Sequence, residues 1–332
     1  MLVLGIDTSC DDTSAAVVTN DLEIRSNVVS SQHEIHGKFG GVVPELASRR
    51  HLENIIPVID HALATADVSI DEIDCIAVTR GPGLIGSLVV GIAAAKAIAE
   101  ARGIPILGVN HIEGHITSSL MTDDPPEFPF VCLVVSGGHT NLYLAESPGT
   151  YRLMGQTRDD AAGEAFDKVA KLLSLGYPGG RPIEEAARED TGEAIFFPRA
   201  YLEKDSFDFS FSGVKTAVRN YLKKNNGSAD DETSRVAHGF QEAVVEVLVE
   251  KTVRLAEDTS VDAVTISGGV AANGRLRGAM RERADYRSIR VVTPSIALCT
   301  DNAAMIAAVG VLRRGEAKEH DLEMNAISRW TV

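Results

Sequence analysis

Two histidines four residues apart open the chemistry of this sequence: His111 and His115, in His111-Ile112-Glu113-Gly114-His115. On a helix, positions i and i+4 share a face, so both imidazoles could hold one metal ion. The alternative is a pair of polar side chains on a solvated face. The zinc-protease helix has its glutamate directly after the first histidine, H-E-x-x-H. Here Ile112 stands there, and Glu113 is turned about 100° further round the helix. Gly114 costs the helix about 1 kcal/mol relative to alanine. Asp301, in Cys299-Thr300-Asp301-Asn302-Ala303, follows a strand pattern and precedes a helical one. It reads either as an N-cap or as the carboxylate of a two-histidine, one-carboxylate set with open positions. Such a set suits Fe(II) or Zn(II).

Glycine turns form the second group. Ser136-Gly137-Gly138-His139-Thr140 puts glycines, a hydroxyl and an imidazole in one turn. Ser267-Gly268-Gly269-Val270-Ala271-Ala272-Asn273 and Tyr177-Pro178-Gly179-Gly180 are further such turns, the latter with Asp167 upstream. Backbone N–H groups converging at glycine can cradle a phosphate. Gly81-Pro82-Gly83-Leu84-Ile85-Gly86 has the letters of a dinucleotide fingerprint. The next strand, however, ends in Asn110-His111 rather than in an acid for the ribose. No Walker A sequence is present.

The elements that must position these residues come in duplicate. Strand 2–6, the turn Asp7-Thr8-Ser9-Cys10-Asp11-Asp12-Thr13-Ser14 and strand 15–18 form a polar-tipped hairpin, and strands 131–135 and 141–145 around Ser136–Thr140 repeat it. Strand 73–79, Gly81-Pro82-Gly83, helix 84–101 and strand 104–109 are matched by strand 261–266, Ser267-Gly268-Gly269, a helix to about 284 and strand 289–292. Asn110 is placed to cap the helix that carries His111. Two halves of this kind describe an α/β duplicated fold of the actin/Hsp70/sugar-kinase (ASKHA) type, two lobes with a nucleotide cleft between them. The expected N-terminal lobe is 1–125 and the C-terminal lobe 126–310, with a segment of about 310–332 returning to the first. Between the lobes, 118–129 reads as a loop. Residues 33–41 also read as a loop, followed by a helix from Glu45 toward Leu63. Asp159 or Asp160 could cap a helix bearing Ala162, Phe166, Val169, Ala170 and Leu173. Phe240, Val244, Val247 and Leu248 form a core stripe. Residues 224–232 read as a polar loop, with a sequon by letters only at Asn226-Gly227-Ser228.

At 332 residues the chain can build two lobes. No apolar run reaches transmembrane length, and no basic n-region marks a secretory signal. Cys10, Cys75, Cys132 and Cys299 form no C-x-x-C pair, so reduced thiols in a cytoplasmic protein with no membrane association are expected. A net charge of −15 excludes one broad basic face for nucleic acid. Local patches remain at Arg275, Arg277, Arg281, Arg283, Arg287 and Arg290, and at Lys215, Arg219, Lys223 and Lys224, with solvated helix faces as the alternative.

The motifs Gly5-Ile6-Asp7-Thr8-Ser9-Cys10-Asp11-Asp12, Gly40–Arg49, His111–His115, Val135–Thr140, Asp159–Leu173, Phe209–Thr216 and Ser267–Asn273 together resemble the TsaD family in its bacterial branch. The resemblance runs nearly end to end. It implies transfer of a threonylcarbamoyl group from threonylcarbamoyl-adenylate to the N6 amine of the adenosine 3′ of the anticodon, in tRNAs reading codons that begin with A, with release of AMP. It implies His111, His115 and Asp301 as ligands of one divalent ion, Fe(II) ahead of Zn(II). Val135, Ser136, Gly137, Gly138, His139, Asp167, Gly180, Glu184 and Asn273 match the adenylate-binding positions. TsaB-like and TsaE-like proteins are the implied partners. Two departures stand out: aspartates at 7 and 12 where the family has glutamate, and Glu184 where it has aspartate. An activated acyl donor needs positioning and charge stabilisation more than a covalent nucleophile. Asp11 and Asp12 are the candidates for proton acceptor. The rival readings are an ATP-dependent phosphotransferase on the same fold, a metalloprotease and a non-catalytic scaffold.

Overall fold

The structure, a computed structural model, describes residues 1–188, 195–203, 205–225 and 229–332. Two compact units divide the chain: one comprises 1–125, 148–150 and 300–332, the other 126–147 and 151–299.

The first unit begins with strands β1 (Leu2–Asp7), β2 (Asp12–Thr19) and β3 (Ile24–Ser31). Helices α1 (His33–Gly37) and α2 (Pro44–Ala66), strand β4 (Cys75–Gly81), helix α3 (Ile85–Arg102), strand β5 (Ile106–Asn110) and helix α4 (His111–Thr117) follow. Its sheet order is β3-β2-β1-β4-β5. The β1–β2 and β2–β3 pairs are antiparallel, and β1–β4 and β4–β5 are parallel. The central strands are apolar on both faces, as expected where helices cover a sheet twice. Pro44 at the first position of α2 fits a residue whose missing N–H is not needed there. Asp67 ends that helix in the left-handed conformation, as Gly103 ends α3.

The second unit holds β6 (Phe130–Val135), β7 (Thr140–Ser147), β8 (Thr150–Gln156), α5 (Ala162–Leu172), α6 (Gly180–Arg188), α7 (Ser212–Lys224) and α8 (Ala229–Thr259). It continues with β9 (Ala263–Ser267), α9 (Gly274–Asp285), β10 (Arg290–Val292) and α10 (Ile296–Cys299). The chain then re-enters the first unit with α11 (Ala303–Leu312). The second sheet runs β8-β7-β6-β9-β10, the order of the first sheet strand for strand. The duplication read from the hairpins and the strand–glycine–helix–strand units is therefore a duplication of topology. The third strand of each sheet, β3 and β8, carries too much polar sequence to announce itself.

Local expectations change in four places, one of them the loop expected over 224–232, whose last residues belong to α8 from Ala229 onward. Residues 33–37 are helical, and His36 there is buried, its Nδ1 accepting from the Val43 N–H at 3.3 Å. Residues 118–121 form a 3-10 turn rather than open loop. Ala161, not an aspartate, occupies the cap position of α5, and the Thr140 hydroxyl receives the Ala162 N–H at 2.8 Å. Asp159 instead accepts from Phe211 N–H and Ser212 N–H at the start of α7, while Asp160 pairs with Lys168 and Lys215. Asn226-Gly227-Ser228 lie outside the described residues, and α8 begins at Ala229.

The arginine patch on and after α9 is largely structural. Arg275, Arg283 and Arg287 pair with Glu242, Glu250 and Glu257 of α8 at 2.6, 2.9 and 2.9 Å. Arg277 donates to the Pro294 carbonyl at 3.1 Å. Phe240, Val244, Val247 and Leu248 are buried in the second unit's core. All four cysteines are free, and Cys75 and Cys132 are buried in strands. Among the described residues, no helix is long and apolar enough to cross a membrane.

Candidate metal centre and glycine-turn site

Helix α4 starts where β5 ends, and Asn110 caps it, its Oδ1 accepting the Ile112 N–H at 2.9 Å. That fixes the first turn and the direction of His111. Gly114 packs closely on α11. A Cβ there would lie 2.8 Å from Ile306 Cδ1 and 3.1 Å from Met305 Cγ, both on α11. The missing side chain lets α4 lie on the helix whose N-terminus follows Asp301. Gly114→Val should therefore push the two helices apart, at a cost of about 1–3 kcal/mol. Urea unfolding would show it as a lowered midpoint; an unchanged midpoint would refute the packing account.

His111, His115 and Asp301 meet as a result. Asp301 Oδ1 is 3.4 Å from His111 Nε2 and 3.4 Å from His115 Nε2. The three residues can each offer a ligand atom with all such atoms within 4.8 Å of one another. Both imidazoles are buried and Asp301 is about a quarter exposed. His115 Nδ1 and Nε2 have no hydrogen-bond partner. Buried imidazole nitrogens are ordinarily satisfied, so the donor set fits a metal ion. Burial resists protonation of His111, yet Asp301 and Asp7 push its pKa up to about 10. Burial raises the Asp301 carboxyl, but the two histidines outweigh it and hold it well below its usual range. Burial lowers His115 and keeps it neutral, as a ligand must be.

The cap expected of Asp301 belongs to its neighbour. Asn302 Oδ1 accepts the Met305 N–H at 3.1 Å, leaving the Asp301 carboxylate to the histidines. Glu113, between the histidines in sequence, is buried and bound by Arg313 Nη1 at 2.6 Å. It is a structural ion pair, which removes the residue a metalloprotease would need.

The first hairpin turn lies at the same centre. Asp7 Oδ2 is 3.5 Å from His111 Nδ1, a partner of the kind that orients metal-binding imidazoles. Asp11 Oδ2 and Asp12 Oδ1 are buried without hydrogen bonds, with His33 Nε2 at 3.9 Å from Asp11. Burial and the Asp301 charge push Asp12 up to about 7, the range of a carboxylate that can take a proton at neutral pH. Sequence reasoning missed His33 and His51, which carry no spacing signal. His51 is buried under the turn, and burial lowers its pKa. The unfolded chain therefore binds a proton below about pH 6.5 that the folded chain refuses, so stability falls with falling pH. His51→Gln should flatten the drop in melting temperature between pH 7 and 5. An identical slope in variant and parent would rule this out.

The remaining predicted residues form a connected network in the second unit. Ser136 N–H donates to the His139 carbonyl at 2.8 Å and His139 N–H to Ser136 Oγ at 3.1 Å, closing a tight turn. The Gly163 N–H at the start of α5 donates to the Ser136 carbonyl at 3.1 Å. Gly268, at φ +91°, passes so close to Val135 that a Cβ would lie 2.3 Å from its carbonyl oxygen. Asp167 Oδ1 accepts the Gly179 N–H at 2.7 Å, holding the turn that leads into α6 at Gly180. Glu184 spends its longer reach on the Gly274 N–H at 3.0 Å. Asn273 caps α9 and donates to Gln241 Oε1 at 2.8 Å. A cavity of about 380 Å³ adjoins this end of the network, lined by Glu184, Arg188, His238, Gln241, Gly274 and Arg275 among others. Its size falls in the range of small-molecule pockets. The Gly81–Gly86 letters have another cause: a Cβ at Gly81 would lie 1.9 Å from the Ile327 carbonyl oxygen, and one at Gly83 would lie 2.4 Å from that of Ser9.

The chain is similar to known proteins over its whole length. The chain is 52% identical to the tRNA N6-adenosine threonylcarbamoyltransferase of Syntrophus aciditrophicus (strain SB), covering 100% of this chain and 98% of that protein. It is also 52% identical to the protein of that name from Symbiobacterium thermophilum, covering 98% and 95%. Among solved structures, the activator of the 2-hydroxyisocaproyl-CoA dehydratase from Clostridium difficile superposes with a TM-score of 0.57 at 14% identity, covering 99% of this chain and 100% of that one. At that identity the likeness speaks for the fold, which is the duplicated actin/Hsp70/sugar-kinase fold expected from the repeated hairpins. Residues 23–308 match the family described as "TsaD: tRNA N6-adenosine threonylcarbamoyltransferase", and with these relatives the match establishes that the chain belongs to the TsaD family.

Proposed function

We propose that this chain transfers threonylcarbamoyl from threonylcarbamoyl-adenylate to the N6 amine of the adenosine 3′ of the anticodon, in tRNAs reading codons that begin with A. The N6 nitrogen forms a bond to the carbamoyl carbon, the bond from that carbon to the phosphate oxygen breaks, AMP leaves and the amine gives up a proton. The observation that carries this reading is the meeting of the imidazoles of His111 and His115 with Asp301, beside the acidic turn, in a chain of this family. His111, His115 and Asp301 hold one divalent ion, and two imidazoles with one carboxylate favour Fe(II) over Zn(II). When bound, such an ion supplies positive charge against the oxygen charge that develops in acyl transfer. Asp7 orients His111, and Asp12, with Asp11 beside it, takes the proton from N6. In the second unit, Val135–His139, Asp167, Gly180, Glu184 and Asn273 bind the adenylate.

A TsaB-like protein and a TsaE-like protein complete the system in the cytoplasm. Leu52 and Ile56 on α2 and Ile85 and Val89 on α3 are each at least half exposed. Helices α2 and α3 meet at Ser48 and Ser87, and these exposed apolar side chains are our candidates for contact with a TsaB-like partner. The acidic net charge of −15 fits an enzyme whose partners help to present tRNA. Nucleoside mass spectrometry of bulk tRNA from a host depleted of this protein tests the reading. Threonylcarbamoyl-adenosine should disappear and return only with wild type, not with Asp301→Ala. Its persistence after depletion, with no second copy of the enzyme, would move a phosphotransferase to first place. Elemental analysis of anaerobically purified protein distinguishes iron from zinc.

A further inference from the structure

His51 sits on α2 with no exposed surface, and both its ring nitrogens are spent on the acidic turn. Nε2 is 3.0 Å from the Cys10 carbonyl oxygen and Nδ1 is 2.7 Å from Thr13 Oγ1. A carbonyl only accepts, so Nε2 carries the proton and Nδ1 accepts from the threonine hydroxyl. Cys10 and Thr13 are the residues on either side of Asp11-Asp12, so one imidazole grips both ends of the acid pair. The turn is anchored again at Ser9, whose N–H and hydroxyl meet Asp7 at 3.0 and 3.2 Å and whose carbonyl accepts the Leu84 N–H at 2.8 Å. Asp11 Oδ2 and Asp12 Oδ1 have no hydrogen bonds of their own. Ser31 meets the Asp12 carboxylate and His33 lies near that of Asp11, but the path of the backbone between them sets where both point, and His51 holds its two ends, at the Cys10 carbonyl and the Thr13 hydroxyl.

We propose that His51 is a positioning residue for the transfer reaction: a neutral clamp of one tautomer that fixes where Asp11 and Asp12 point. This rests on the reading of the acidic turn as proton acceptor. A misplacement of about 1 Å at a reacting group can cost about 10²-fold in rate, so the clamp matters to kcat rather than to substrate binding.

The test is steady-state transfer by the full chain with its partner proteins, tRNA and threonylcarbamoyl-adenylate. His51→Phe keeps the ring and loses both bonds; kcat should fall about 10- to 100-fold, with KM for the adenylate unchanged within about twofold. His51→Gln, whose amide N–H can still reach the Cys10 carbonyl, should recover most of the loss. Thr13→Val removes one of the two bonds without emptying the site, and should give a smaller loss of the same kind should His51→Phe fail to fold. In an Asp12→Asn background the His51→Phe loss should largely vanish, because the group it aims is gone. Wild-type kcat in His51→Phe, or a loss confined to KM, would overturn the clamp while leaving the acidic-turn reading intact. Full activity in Asp11→Asn and Asp12→Asn would overturn that reading, and with it the route by which His51 acts.

Discussion

Asp301→Ala should strip the protein of its metal and of its activity while leaving the fold in place. Loss of a partner that merely orients a ligand costs about 10- to 100-fold in metal affinity, and loss of a ligand itself should exceed about 100-fold. The fold should survive because the residue that caps α11 is Asn302, and its bond to the Met305 N–H does not involve Asp301. Asp301 touches the two histidines through a single oxygen, Oδ1, at 3.4 Å from each. Metal content per chain after dialysis, the melting curve and the threonylcarbamoyl-adenosine content of tRNA together decide the matter. Near-normal melting with no retained metal and no modified nucleoside is the expected result. Full metal retention would remove Asp301 from the ligand set.

Arg313→Ala should be strongly destabilising. Glu113 is almost wholly buried on α4, and Arg313 Nη1 meets it at 2.6 Å. Deleting the arginine removes a cation held against a buried carboxylate, a change that costs up to about 3–5 kcal/mol. Glu113→Ala should cost less. Arg313 is more exposed and keeps Glu316, whose Oε1 and Oε2 lie 2.8 and 2.5 Å from Nε and Nη2. Glu113→Leu combined with Arg313→Met should recover most of the loss, because the desolvation penalty goes with both charges. Urea unfolding of the four proteins gives the comparison. Equal midpoints for Arg313→Ala and the parent would show the pair to be energetically idle. Glu113→Gln also separates function from stability: transfer per folded molecule should persist, whereas a metalloprotease would lose its general base.

Much of the candidate site was legible because it depends on short-range periodicity. The i, i+4 histidines, the Asn110 cap and the glycine turns after strands are local patterns with local physical causes. The duplication was legible for the same reason, as each half repeats the same hairpin and the same strand–glycine–helix–strand run. Other expectations failed where a local rule met a longer-range competitor. Asp159 and Asp160 have the chemistry of helix caps, but the start of α7 and the ammonium groups of Lys168 and Lys215 engage them. The arginines on and after α9 look like a nucleic-acid patch in sequence, and only the acidic face of α8 against them turns three into ion pairs.

By itself the sequence determined which side chains could serve as ligands, which turns could bind an anion, and that the architecture is built twice. Tertiary structure alone decided that Asp301, about 190 residues from the histidines in sequence, shares their centre. It also decided that Glu113 is spent on Arg313 and that His51 lies beneath the acidic turn. The reason is physical. Backbone periodicity fixes the relative direction of residues within one element, but the meeting of α4 with α11 depends on how their side chains fit, as Gly114 does against Ile306 and Met305. That complementarity belongs to two surfaces brought together by the chain's path, and neither segment's letters specify it alone.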